Sequence, residues 1–149
     1  METMNHKIDH ISSFKGEYEW LSNFYPAKVE LCGIIYPSVE HAYQAAKTLE
    51  YEERKPFFQV PVISSAESKK LGRKLSIRPD WENIKLQIME DLLIQKFAVP
   101  ELKEKLLQTG DKLLVEGNWW GDSFWGVDSR KGGLNHLGKL LMKIRGNIK

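Results

Sequence analysis

Glu40, Gln44 and Lys47 stand at i, i+4 and i+7. On an α-helix that spacing places an acid, an amide and an amine within one stripe about 60° wide. Two readings fit the stripe. It is a solvated polar face opposite Val39, Ala42, Tyr43, Ala46 and Leu49, or it aims a carboxylate and an amine into a shared pocket. In a pocket, loss of water lowers the lysine pKa and makes the amine a nucleophile. His41 falls about 100° round the helix from Glu40 and reads as a core or boundary histidine. Lys69, Lys70, Arg73 and Lys74 lie largely on one face of a later helix, either as a solvated charge stripe or as a phosphate holder in which Arg73 suits bidentate contact.

A third group is the stretch from Asn118 to Asp128, which holds Trp119, Trp120, Phe124 and Trp125 with Gly121, Gly126, Asp122 and Asp128. Its glycines and aspartates argue against a regular helix or strand, so it reads as an ordered, packed loop of the kind that carries binding sites. Acids beside stacking surfaces, including Glu116, are what a glycosidic-bond enzyme or a nucleobase binder requires. The same aspartates also cap turns readily, and Asn23 and Asn135 carry the same two options. Trp81, at a helix start, reads first as core.

The elements that position these groups follow from capping and periodicity. Lys28 to Leu31, a turn at Cys32-Gly33, and Ile34 to Tyr36 read as a short hairpin closed by Pro37-Ser38. Ser38 then caps a helix from Val39 to about Leu49, with Glu40 in its first turn and Ala42, Ala45 and Ala46 favouring it. Ser64-Ser65-Ala66-Glu67 has capping-box spacing and opens a helix to about Leu75. Asp80 caps the next, in which Trp81, Ile84, Ile88 and Leu92, joined by Met89 and Leu93, recur at helical spacing through Phe97. Pro100 starts a helix over Glu101 to Gln108 that Gly110 ends. Leu113 to Val115 reads as a short buried strand, and Leu137, Leu140, Leu141 and Ile144 mark a last helix stopped by Gly146. The expected fold is α+β, mainly α-helical: a single compact domain of about five helices with a small β-hairpin and a short extra strand. Residues 1–13 are expected to form an N-terminal arm and 14–149 the domain.

At 149 residues, 42% hydrophobic and 28% charged, the chain has the length of one globular domain with one substantial core. The single Cys32 excludes an intramolecular disulfide, and a reducing, cytoplasmic setting fits. No apolar run has the length of a signal peptide core or a membrane span. A net charge of +2 does not argue for wholesale binding to a phosphate backbone, though it allows a basic pocket for one or two phosphates. His6, His10, His41, His136 and Cys32 lack zinc-ligand spacing, so no metal is expected. Neither a Rossmann glycine fingerprint nor a P-loop is present, and no cofactor is expected.

Taken in order, Leu21-Ser22-Asn23-Phe24, Ser38 through Lys47, Leu71-Gly72-Arg73, Trp81, Lys96-Phe97, Leu107-Gln108-Thr109-Gly110, Val115-Glu116, Asp122 through Gly126 and Gly133 through Gly138 resemble the YbiA-like, or NADAR, family over nearly the whole chain. The resemblance implies a small, mainly helical fold and N-glycosidase activity on a bond between a ribose phosphate or ADP-ribose and a nitrogen base. The substrates implied are early riboflavin-pathway intermediates or ADP-ribosylated guanine, free or within nucleic acid. Carried over by position, Glu40, Trp81, Asp122 and Trp125 match residues tied to activity, and Lys47 matches a lysine proposed to attack the anomeric carbon.

The catalytic candidates are therefore Glu40, Lys47 and Asp122. The substrate-binding candidates are Asn23, Phe24, Gln44, Arg73, Trp81, Trp125, Gly126, Asp128 and Asn135. Val127 through Lys131 stand where glycine-rich residues are usual in the family, which bears on substrate choice. In this reading Glu40 or Asp122 stabilises the charge at C1, Lys47 captures it, the tryptophans wall the pocket, Asn23 and Asn135 bond hydroxyls or base edges, and Arg73 neutralises phosphate. Asp122 and Trp125 are expected close to Lys47. The alternative is a non-catalytic module that binds ADP-ribose or NAD.

Overall fold

A computed structural model describes residues 9–149. In chain order it holds β1 (His10–Ile11), a 3-10 helix (Gly16–Leu21), β2 (Pro26–Leu31), β3 (Ile34–Ser38), α1 (Val39–Ala45), α2 (Tyr51–Arg54), a second 3-10 helix (Lys55–Phe57) and α3 (Ser65–Gly72). There follow α4 (Trp81–Lys96), α5 (Pro100–Gln108), β4 (Leu113–Leu114), β5 (Gly117–Asn118), β6 (Val127–Asp128) and α6 (His136–Asn147). The fold is α+β and mainly helical, as expected. The described residues fall into two compact units, Ser22–Val99 and the residues up to Leu21 together with Pro100–Lys149.

The Ser22–Val99 unit is built round α1. The antiparallel hairpin β2–β3 turns at Cys32-Gly33, where φ is 53° and 80°, the two positive values that let a two-residue turn follow the strand twist. Ser38 Oγ accepts the His41 backbone N–H at 3.2 Å and starts α1. All seven residues of α1 are buried, because α3, α4, β2, β3 and the second 3-10 helix all pack on it. The helix ends earlier than Leu49. Lys47 N–H bonds Gln44 O and Thr48 N–H bonds Ala45 O, a tightened last turn that leaves Leu49 exposed. The capping box of α3 forms in full, Glu67 N–H to Ser64 Oγ at 3.0 Å and Ser64 N–H to Glu67 Oε1 at 2.9 Å, and α3 stops at Gly72 rather than Leu75.

Asp80 does not cap α4 with its side chain. Its carboxylate is held by the Arg78 guanidinium at 2.7 and 3.1 Å, a charged pair that competes with the orphan amides. The inward face of α4 follows the apolar repeat: Trp81, Met89, Leu92 and Leu93 are buried, Ile84 and Ile88 are half-buried, and Leu86 and Ile94, outside the repeat, are exposed. The departure is Lys96, which is buried with them.

Lys96 is 0% exposed. Its Nζ donates to Ser22 O at 2.7 Å and lies over the rings of Tyr25 and Phe97, and burial pulls its pKa down to about 7. The unfolded chain keeps this amine protonated to a pKa of about 10.4. Between those values the unfolded state therefore holds a proton that the folded state has shed, and stability rises with pH across that window. In urea unfolding, Lys96→Met should remove a slope approaching about 1.4 kcal/mol per pH unit between pH 7 and 9.5; wild-type and variant slopes that coincide would contradict this burial.

In the other unit β1 pairs in parallel with β4, so the arm expected over 1–13 is in part a strand; residues 1–8 of it lie outside the described residues. Helix α5 runs from Pro100 as expected, and Gly110 takes φ +62° beyond its end. Gly146 does not stop α6, which continues to Asn147 with Ile148 N–H on Ile144 O. No helix among the described residues is long and apolar enough to cross a membrane.

Candidate active site

Glu40 and Gln44 of the stripe are buried on α1 rather than solvated, and Lys47 lies in the turn that follows the helix. Glu40 is 7% and Gln44 5% exposed, and Gln44 Nε2 donates to Glu40 Oε2 at 2.6 Å, fixing the carboxylate one helical turn away. Gln44 lies so close to Gly72 of α3 that any β-carbon at residue 72 would overlap its amide oxygen, which accounts for the glycine before Arg73. Gln44 Oε1 is buried and has no hydrogen-bond partner among the described residues. The same holds for Asn23 Oδ1. Asn23 is tied to the stripe through its carbonyl, which accepts Glu40 N–H at 3.1 Å, while its Nδ2 meets Met89 Sδ at 3.5 Å. Such orphaned acceptors cost stability unless another group serves them.

Lys47 is half-buried, with Nζ 5.7 Å from the centre of the Tyr43 ring; that ring packs on Trp81 at 5.1 Å. Burial lowers the Lys47 pKa most, Glu40 opposes it, and Lys85, Arg73 and Lys69 lower it further. A partly desolvated amine among like charges spends more of its time neutral, the state that attacks carbon.

Of the four cations expected on one helix face, Lys69 and Arg73 act on Lys47; Lys69 is half-buried, and Arg73, Lys70 and Lys74 are exposed. Lys85 was not among the expected site residues. Its signal was present as the i+4 partner of Trp81 on the inward face of α4. Trp81 is buried against Tyr43, as core. Phe24 is partly exposed, and its carbonyl accepts the Ser65 hydroxyl at 2.9 Å.

His41 is a buried structural residue. Its Nε2 lies 2.7 Å from Ile63 O, which can only accept, so Nε2 carries the proton and Nδ1 accepts from Ser38 Oγ at 2.6 Å. Burial lowers its pKa, against the Ile63 bond. Among the described residues no group of His, Cys, Asp or Glu is arranged to hold a metal ion.

The second set of candidates lies in the loop between β5 and β6. Its ends form a two-residue parallel pair, Gly117 with Val127 and Asn118 with Asp128, so strand does occur where glycine and aspartate argued against it. Asn118 brackets Asp122, accepting its N–H at 3.0 Å and donating to its carbonyl at 2.8 Å. Asp122 Oδ1 in turn accepts the N–H groups of Phe124 at 3.2 Å and Trp125 at 3.0 Å, a turn-capping geometry. Trp125 stands edge-on to Phe124 at 4.9 Å.

Gly126 is buried against Glu116, whose backbone and side-chain oxygens a β-carbon would strike; the glycine permits a close backbone approach. Asn135, at φ +55°, spends its amide on the backbone, accepting Glu116 N–H and donating to Leu114 O, both at 3.0 Å. The loop carbonyls of Phe124 and Trp125 accept the first amides of α6, those of His136 and Leu137.

Asp128 is buried, and its carboxylate takes Gly121 N–H at 2.7 Å and those of Arg130 and Lys131 at 3.0 Å. Those donors, Lys131 and Arg130 foremost, hold its pKa below the usual aspartate value. The stabilisation is full above the unfolded pKa of about 3.9 and is lost as pH falls through the lower folded value. Asp128→Asn should speed amide exchange at Gly121, Arg130 and Lys131 and flatten the acid limb of the unfolding profile; unchanged protection at those three amides would contradict the assignment.

The NADAR domain family matches residues 11–149. The N-glycosidase Npun_R5314 of Nostoc punctiforme is 41% identical over 139 residues, covering 89% of this chain and 86% of that protein. The riboflavin biosynthesis protein VVA0006 of Vibrio vulnificus is 33% identical over 129 residues, 85% of this chain but only 34% of that longer protein. The NMR structure of the Escherichia coli protein YbiA matches with a TM-score of 0.81 at 32% identity, over 98% of this chain and 87% of that one.

Proposed function

The chain belongs to the NADAR family and is an N-glycosyl hydrolase, and on that premise we propose that Lys47 attacks C1 of a phosphorylated ribose or an ADP-ribose and releases the nitrogen base bound there. The observation that carries this reading is the half-buried Lys47 amine, its pKa lowered by burial and by three neighbouring cations, with Glu40 as the opposing charge.

Cleavage sends the electron pair of the C1–N bond to the departing base, which needs a proton, while C1 gains positive charge. Glu40 stabilises that carbon or relays the proton. The neutral Lys47 amine bonds to C1, the sugar ring opens, and an imine-type adduct forms; water then hydrolyses it and frees the amine. Arg73 and Lys69, which bear on the same amine, suit the phosphate of the substrate. Asn23 and Gln44, the two amides beside Glu40, are the proposed partners of the ribose hydroxyls.

Two substrate classes are proposed, ribosylamino-pyrimidine phosphates of early riboflavin synthesis and ADP-ribosylated guanine. The name of the Vibrio relative supports the first. Offering ADP-ribosylated guanosine, a ribosylamino-pyrimidine phosphate and NAD in parallel, with base release followed by chromatography, tests the reading. Release from either of the first two is expected; no base from any of the three overturns it.

A further inference from the structure

Two tryptophans of the β5–β6 loop take no part in the chemistry above and are turned to solvent. Trp119 is 67% and Trp120 43% exposed. They stand edge to face, 5.7 Å apart at 81°, on backbone pinned by the Asn118 brackets and by the Asp128 carboxylate at Gly121.

Exposed indoles are costly to leave in water, and here cations stand beside one of them and on the same loop. Lys15 Nζ lies 5.3 Å from the Trp120 ring centre. Lys131 Nζ stands 3.7 Å from the point where a β-carbon on Gly121 would lie. Arg130, also exposed, follows on the turn that Asp128 holds. Asp128 itself is buried, its oxygens committed to three amides. The surface therefore joins flat aromatic faces to positive charge on a fixed backbone, the combination that binds single-stranded nucleic acid through base stacking and phosphate contact.

We propose that Trp119 and Trp120, with Lys15, Arg130 and Lys131, form a stacking platform for a single strand of nucleic acid. Trp119 offers its exposed ring to a base, and Lys15 beside Trp120 and Lys131 beside Gly121 meet the flanking phosphates. The platform goes beyond the glycosidase reading and does not depend on it, so Lys47→Ala should bind a strand as the wild type does.

The test is fluorescence anisotropy of a labelled oligothymidylate with the full chain, set beside an abasic oligomer of equal length and charge and vesicles of phosphatidylserine. The oligothymidylate should bind about tenfold more tightly than the abasic strand, and Trp119→Ala with Trp120→Ala should erase that advantage while the Phe substitutions keep it. Lys15→Gln with Lys131→Gln should reduce the salt slope of binding by about 1.4 between about 50 and 200 mM salt. Equal binding of the abasic strand, tryptophan variants that bind as tightly as wild type, or capture by vesicles without binding of the oligothymidylate would each overturn the proposal.

Discussion

Lys47→Ala should reduce base release by at least about 10³-fold, the scale set by loss of a nucleophile or of a positioned proton-transfer group, and Lys47→Arg should be equally inactive. A guanidinium occupies similar space and keeps the charge, but it does not deprotonate in the working range. The pair of variants thus separates a nucleophile from a mere cation: a phosphate-binding role would survive Lys47→Arg. The pH profile carries the sign. Burial and the charges of Lys85, Arg73 and Lys69 lower the amine pKa, so kcat/KM should rise with pH through a limb below the ordinary lysine value, as the neutral amine becomes available. An activity that fell over that range would contradict the nucleophile.

Glu40→Gln should lower kcat by about 10²- to 10⁴-fold, the usual contribution of a positioned acid or base, and should also move the lysine limb. Among the described residues Glu40 is the charge that raises the Lys47 pKa against burial. With its charge removed the amine loses its proton more readily, and the rising limb shifts to lower pH even as the rate falls. A neighbouring residue that only supported packing would change the rate without moving the limb. Its buried position beside Gln44, whose amide donates at 2.6 Å, makes Gln the conservative replacement in volume, and thermal unfolding should confirm that the variant folds.

Much of the local structure was legible because single residues decide it. Ser38 and the Ser64–Glu67 box cap their helices as their spacing indicates, the Cys32-Gly33 turn closes the hairpin, and Pro100 opens α5. The departures share another cause, since each depends on partners far away in sequence. Asp80 prefers the Arg78 guanidinium to the amides of α4. Helix α1 has no solvent face at all, because α3 and α4 pack on it from later in the chain, which the periodicity of its own residues does not register. Lys96 sits where an apolar residue belongs on α4 because a backbone carbonyl, Ser22 O, is there to receive it. Nothing in the local sequence gives that partner away.

The site was legible in part for the same reason. The Glu40–Gln44 contact follows from helix geometry, Lys47 lies in the turn after α1, and Lys69 of α3, Arg73 just beyond it and Lys85, which spacing alone did not single out, bear on its amine. For Asp128, Gly126 and Asn135 the residue types pointed to a binding loop, whereas their contacts show what holds that loop together: a carboxylate on three amides, a glycine admitting Glu116, and an amide clamped between Leu114 and Glu116. A side chain that organises a loop and one that touches a ligand draw on the same polar residues, and composition does not separate them.

The central claim, that Lys47 bonds to the sugar carbon, is met most directly by borohydride reduction during turnover followed by mass mapping of the trapped protein. A reduced sugar adduct on the peptide that carries Lys47, absent from Lys47→Ala, is the expected result. Base release that proceeds with no adduct on that peptide, or with the adduct on another lysine, would contradict it.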